Sequence, residues 1–267
     1  MSHSLLQTLQ SEDARERASA CEACVHDPSA VLLLDALAKA LGDSEKSVMR
    51  AASNALVALS QHHSEVHELL RHALRSPDLR TRWGGTFTSA RIQPPKPGML
   101  PTLVEVMASP DGDLRWAAAR ITVDLARLHD EAFRAVLQLV DAGDPPAVRR
   151  MAVFCLRELA PEDPGAAEAL VRASRAADVQ LRRAALTAIG ALSSLLPEAA
   201  SRLLEATRGD PDPASRRVAA LALGQLGAAF PSELPAGVAA ELKSLRAHSE
   251  DPDLTRALQL ALAKLGD

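Results

Sequence analysis

Three stretches of the chain repeat one another: "DPPAVRRMAVFCLREL" (144–159), "DVQLRRAALTAIGAL" (178–192) and "DPASRRVAALALGQLG" (212–227). In each, an acidic residue is followed four or five places on by arginine, then by alanines and leucines at helical spacing. Anchoring on the arginine extends the register over the whole chain, through Arg17, Met49, Arg82, Arg115, Arg149, Arg182, Arg216 and Thr255. Four places before those anchors stand Asp13, Glu45, Asp78, Asp111, Pro145, Asp178, Asp212 and Asp251; seven are acidic, and Asp144 precedes the proline. A period of about 33 residues of this kind is the signature of a stacked repeat, because one unit cannot bury its apolar face alone.

Ahead of each anchored segment runs another amphipathic stretch, such as "AVLLLDALAKAL" (30–41) or "EAFRAVLQLV" (131–140). Aspartate in the intervening turn suits a helix N-cap, and proline suits the first helical position. Each unit therefore reads as a helix pair, with units near 1–27, 28–61, 62–96, 97–128, 129–161, 162–194, 195–229 and 230–267 of one repeat domain. The composition agrees: two Trp, four Phe and no Tyr leave a core of Ala, Leu and Val, which suits close-packed helices better than a sandwich or barrel.

The pattern "D-P-x-x-V-R-x-x-A-x-x-A-L", fullest in "DPPAVRRMAVFCL", resembles HEAT repeats of the phycobilisome-lyase type. The resemblance covers essentially the whole chain. It implies an all-α fold, a right-handed α-solenoid of about eight antiparallel helix pairs, with the Asp/Arg helices lining a concave face. It also implies an Asp/Arg ladder along the stack, structural in purpose.

On those second helices, the residue after each anchor and the one four further on share a face. The first column reads Ala18, Arg50, Trp83, Trp116, Arg150, Arg183, Arg217, Arg256; the second reads Glu22, Asn54, Phe87, Arg120, Phe154, Thr187, Leu221, Leu260. Both tryptophans and two of the four phenylalanines fall there. Aromatic and arginine side chains dominate binding hot spots, so Trp83, Phe87, Trp116, Arg120, Arg150, Phe154 and Arg183 form the candidate concave binding patch. The alternative is that these tryptophans pack between helices, with arginine lying across them.

Gly84 and Gly85 stand where the next unit has Ala117 and Ala118, on the core side. Each costs about 1 kcal/mol against alanine in a helix. Two readings stay open: a kinked helix that opens a pocket, or repeat decay absorbed by its neighbours.

Catalytic and metal signatures are weak. Cys21, Cys24 and His26 lack the fourth ligand of a structural zinc site, and His62, His63, His67 and His72 have no clear carboxylate partner in register. No phosphate loop or nucleophile elbow is visible. Neither a metal nor a cofactor is expected, and the balance leans away from an enzyme. A net charge of −4 predicts no strong attraction to nucleic acid. Three cysteines and no signal-peptide pattern point to a cytoplasmic protein.

Three functions compete. The first is an interaction scaffold that binds a partner protein or peptide on its concave face. The second, implied by the resemblance, is handling of a tetrapyrrole such as a bilin or haem. The third, by likeness to HEAT-like alkylpurine DNA glycosylases, is nucleic-acid binding. Phe87 and Arg120 stand four places after the tryptophans, where an aspartate would be wanted.

Overall fold

The computed structural model describes residues 2–194 and 196–266, and among these there is no strand. Two compact units emerge, residues 1–132 and 133–267, with the division falling inside one helix.

The first unit contains α1 (Ser2–Thr8), α2 (Ala14–Cys24), α3 (Leu34–Ala40), α4 (Lys46–Leu59), α5 (Glu65–Ala73), α6 (Leu79–Ile92), α7 (Leu100–Met107) and α8 (Gly112–Leu128). Helix α9 (Asp130–Ala142) crosses the division. The second unit continues with α10 (Pro146–Leu159), α11 (Pro164–Ala173), α12 (Val179–Ile189), α13 (Pro197–Gly209), α14 (Pro213–Ala229), α15 (Val238–His248) and α16 (Pro252–Lys264). Helices α2, α4, α6 and α8 of the first unit, and α12, α14 and α16 of the second, each pack on the odd-numbered helix before them; α2, α4, α6 and α8 also pack in succession, as do α10, α12, α14 and α16. These are the anchored helices of the sequence register. The core is aliphatic throughout. Leu37, Leu56, Leu103 and Leu125 are sealed in one unit, Leu156, Leu170, Leu186 and Ile189 in the other. Each such leucine contributes about 1.5–3 kcal/mol by leaving water.

The acidic column caps helices. Asp13, Asp78, Asp111, Asp178, Asp212 and Asp251 each accept from a backbone N–H of the first turn, while Glu45 and Pro145 make no side-chain cap. The ladder expected between these aspartates and the anchor arginines is built differently. Nη1 of Arg17, Arg82, Arg115 and Arg182 turns back onto two carbonyls of its own preceding turn. Arg17 and Arg182 then fork onto the next repeat through Asp43 and Asp210, which lie two places before the capping position, at 2.8 and 2.9 Å in both cases. Asp43 and Asp210 also accept the backbone N–H of the capping residue two places on, at 2.9 and 3.0 Å, so each holds its own turn as well as the bridge.

Helix α6 is unbroken across Gly84 and Gly85. A Cβ on Gly84 would run into the Leu41 carbonyl, and one on Gly85 would stand 2.8 Å from Cβ of Ala73. The glycines let α6 lie directly against the C-terminal ends of α3 and α5. Thr88 and Ser53 fill the polar gap, with Thr88 Oγ1 donating to the Gly84 carbonyl at 2.7 Å and standing 2.9 Å from Ser53 Oγ. The second unit uses the same device, with Gly190 against Ala222 and Gly224 against Ala261.

Candidate functional site

The columns fall on both units, and each unit presents its own part. In the first, the two tryptophans differ. Trp116 is 49% exposed on α8, whereas Trp83, expected on the open face, is only 4% exposed. The helices on either side of α6 are joined across it. Lys46 Nζ, in the first turn of α4, reaches Asp111 Oδ2 at 2.7 Å and Asp113 Oδ2 at 3.1 Å at the start of α8. The bridge joins α4 and α8 past α6, and Trp83 lies one turn into that enclosed helix. Its ring packs on half-buried Phe87 with centroids 5.6 Å apart, and the Arg91 guanidinium covers Phe87 at 5.5 Å. Trp83 Nε1 is buried and has no hydrogen-bond partner among the described residues. Trp83 and Phe87 thus form a packed cluster, while Trp116 and exposed Arg120 remain in water.

In the second unit the columns run over four adjacent helices. Arg150 and Phe154 on α10 are half-buried, and the Arg157 guanidinium lies 4.9 Å from the Phe154 ring centroid. Arg183 on α12 forks onto Asp212 at 2.8 Å on both oxygens. That bond and the Ser215 hydroxyl hold the Asp212 carboxyl well below the usual carboxylate range. Arg217 on α14 reaches Asp253 at 3.3 Å and Asp251 at 3.8 Å. The register ends in open apolar side chains: Leu221 is 36% exposed and Leu260 52% exposed, one turn after Arg217 and Arg256. Arg256 and Arg120 carry no ion pair among the described residues.

The sequence columns contained Leu221 and Leu260, but weighting by aromatic content passed over them. Leucine repeated in the last two units, at a position that is Glu22, Asn54, Arg120 or Thr187 in four others, was the available signal. Arg202, on a first helix, was missed as well; an arginine within the apolar run "ASRLLEA" marked it.

Cys21, Cys24 and Cys155 are all buried. Burial pushes the thiols of Cys21 and Cys24 up to about 12 and about 11, the range of inert packing residues. Among the described residues no group of three or more potential ligands could hold a metal ion, and no helix is long and apolar enough to cross a membrane.

No protein-family model matches the sequence, and no curated protein does. Solved structures do resemble it. The complex of CpcE and CpcF of phycocyanin lyase from Nostoc sp. matches with a TM-score of 0.50 at 22% identity, over 61% of this chain and 96% of that one. Escherichia coli YibA matches with a TM-score of 0.54 at 15% identity, over 98% of this chain and 92% of that one. At these identities the likeness speaks for architecture. The chain has the all-α, HEAT-like helical-repeat fold of the α-solenoid class.

Proposed function

We propose that this protein is a non-enzymatic interaction module whose second-helix faces bind an acidic amphipathic segment of a partner protein. The observation that carries the reading is Leu221 and Leu260 standing in water on neighbouring helices, each one turn beyond an arginine. Isolated exposed leucines are ordinary, but two in register beside Arg217 and Arg256 make a repeated arginine–apolar motif. Arg150 with Phe154 on α10 continues it, and Arg183 stands at the same position on α12. Trp116 with Arg120 is the counterpart on the first unit, while buried Trp83 drops out of the contact surface. A helix with a leucine stripe flanked by glutamates matches this surface in both polarity and charge. The phycocyanin lyase of similar fold is itself a complex of two chains, an analogy of architecture alone.

The test uses a designed helical peptide with a leucine stripe flanked by glutamate, beside the same stripe flanked by lysine. The acidic peptide should change fluorescence anisotropy saturably and the basic one should not. Leu260→Asp should weaken binding at least tenfold, as loss of an apolar anchor does. Equal binding of both peptides, or of neither, would sink the proposal.

A second reading rests on Trp116 beside exposed Arg120: a tetrapyrrole could stack on the indole and pair a propionate with the guanidinium. Titration with biliverdin or haem should then give an absorbance shift that Trp116→Ala removes. A spectrum unchanged by the protein would eliminate it.

A further inference from the structure

The second unit holds another recess whose chemistry is different. Where the end of α11, the first turn of α12 and the C-terminal half of α13 meet, a cavity of about 580 Å³ opens, within the range of small-molecule sites. Its charged lining is Arg175, Arg182, Arg202, Glu205 and Asp210, with small side chains such as Ala177 and Ala206 between them.

These charges are unevenly matched. Arg182 and Asp210 form a closed pair at 2.8 and 2.9 Å, and Arg182 Nη1 is taken by the carbonyls of Ala176 and Ala177. Arg202, only 6% exposed, donates from Nε to Ser174 Oγ at 2.8 Å and from Nη2 to the Ser174 carbonyl at 2.6 Å. The carboxylate paired with Arg202 is Glu205, 3.5 Å from Nη1. That carboxylate is shared, because Arg175 Nη1 donates to both of its oxygens at 3.0 Å. Two guanidinium groups therefore hold one carboxylate. Burial pushes the Arg202 guanidinium below its usual range, and Glu205 only partly opposes it.

We infer that Glu205 is a built-in placeholder, and that Arg175 and Arg202 bind the phosphoryl group of a small phosphate monoester that displaces it. An incoming carboxylate would only exchange one single negative charge for another. A phosphate monoester carries about −1.5 to −2 at neutral pH and three strong acceptor oxygens, which answers both cations at once. Glu205 and Arg175 have mostly exposed side chains, so the carboxylate can swing into water as the ligand enters. The small residues of the cavity leave room for the organic part. This recess is independent of the arginine–apolar motif.

Calorimetric titration of the full chain with phenyl phosphate, inorganic phosphate and benzoate tests the inference. Phenyl phosphate should bind saturably, more tightly than inorganic phosphate, and benzoate should not bind. Glu205→Gln, which removes the competing charge, should tighten phenyl phosphate binding roughly tenfold, and Arg175→Ala should weaken it by a similar factor. Both changes are at exposed side chains, and circular dichroism verifies the fold of each variant. The inference is overturned if phenyl phosphate fails to bind wild type and Glu205→Gln alike. It is equally overturned if benzoate or inorganic phosphate binds as tightly, or if Glu205→Gln leaves affinity unchanged or lower.

Discussion

Lys46 and Asp111 are joined across an intervening repeat: Lys46 Nζ lies 2.7 Å from Asp111 Oδ2, tying the first turn of α4 to the N-cap of α8 past α6. The contact raises the Lys46 pKa and lowers that of Asp111, each chiefly through their shared hydrogen bond. The helix it spans carries Trp83, which is enclosed, whereas Trp116 in equivalent register on α8 is open.

Fluorescence separates them, since the chain has two Trp and no Tyr. With Trp116→Phe, emission from Trp83 should be blue-shifted and poorly quenched by acrylamide. With Trp83→Phe, emission from Trp116 should be red-shifted and readily quenched. Adding Lys46→Ala to the Trp116→Phe chain should raise the quenching of Trp83. Equal quenching of the two indoles would contradict the enclosure.

Gly84→Ala weighs two opposing effects. Alanine gains about 1 kcal/mol of helix propensity. Overpacking costs about 1–3 kcal/mol, and here the obstacle is the Leu41 backbone carbonyl, which cannot rotate aside as a side chain could. The expected result is net destabilisation by up to about 2 kcal/mol, read from urea midpoints. Gly112→Ala is the control, its nearest obstacle being Arg115 Nη2 at 3.7 Å, and it should be near neutral. A more stable Gly84→Ala would mean the close approach is dispensable.

The helix register and the capping aspartates were legible because both are local: a 3.6-residue period and a carboxylate one turn from the N–H it accepts. Exposure was less legible, because a column treats every second helix as having equivalent neighbours. Lys46 and Asp111 break that assumption from opposite sides of α6, and no local pattern announces it. The glycines likewise read as weak helix formers, because the reason for them lies in Leu41 and Ala73, on other helices. Asp43 and Asp210 were visible within "DSE" (43–45) and "DPD" (210–212). Which of the two nearby acids takes the anchor arginine is decided by the geometry of the turn.

Of the two second helices without a side-chain cap, α10 has Pro145 at the position and α4 has an acid that could cap. Glu45 occupies the N-cap of α4 without a side-chain bond, where six other second helices have a capping aspartate. The longer side chain overreaches the first-turn N–H groups. Glu45→Asp should stabilise the chain by about 0.5–1 kcal/mol, and Asp178→Ala should cost about 1 kcal/mol. Thermal unfolding of the two variants checks both signs. A loss of stability in Glu45→Asp would show that the turn cannot orient a shorter carboxylate toward the helix.

Acid should unfold the protein through its inter-repeat carboxylates. For Asp43 and Asp210 burial alone would raise the pKa, but the arginine forks and backbone N–H donors outweigh it and the net direction is downward. Asp212 is lowered chiefly by Arg183 and then by Ser215. A carboxylate depressed in the folded state stabilises it fully above the unfolded value of about 3.9, and that stabilisation is lost as pH falls through the folded value. Helicity should therefore hold from neutral pH down to about 4 and collapse below it. Arg183→Gln returns Asp212 toward the ordinary range, so the acid midpoint should move upward even though Ser215 still donates. Circular dichroism against pH reads the shift. An unchanged midpoint would mean that the Arg183–Asp212 fork contributes nothing to holding α12 against α14.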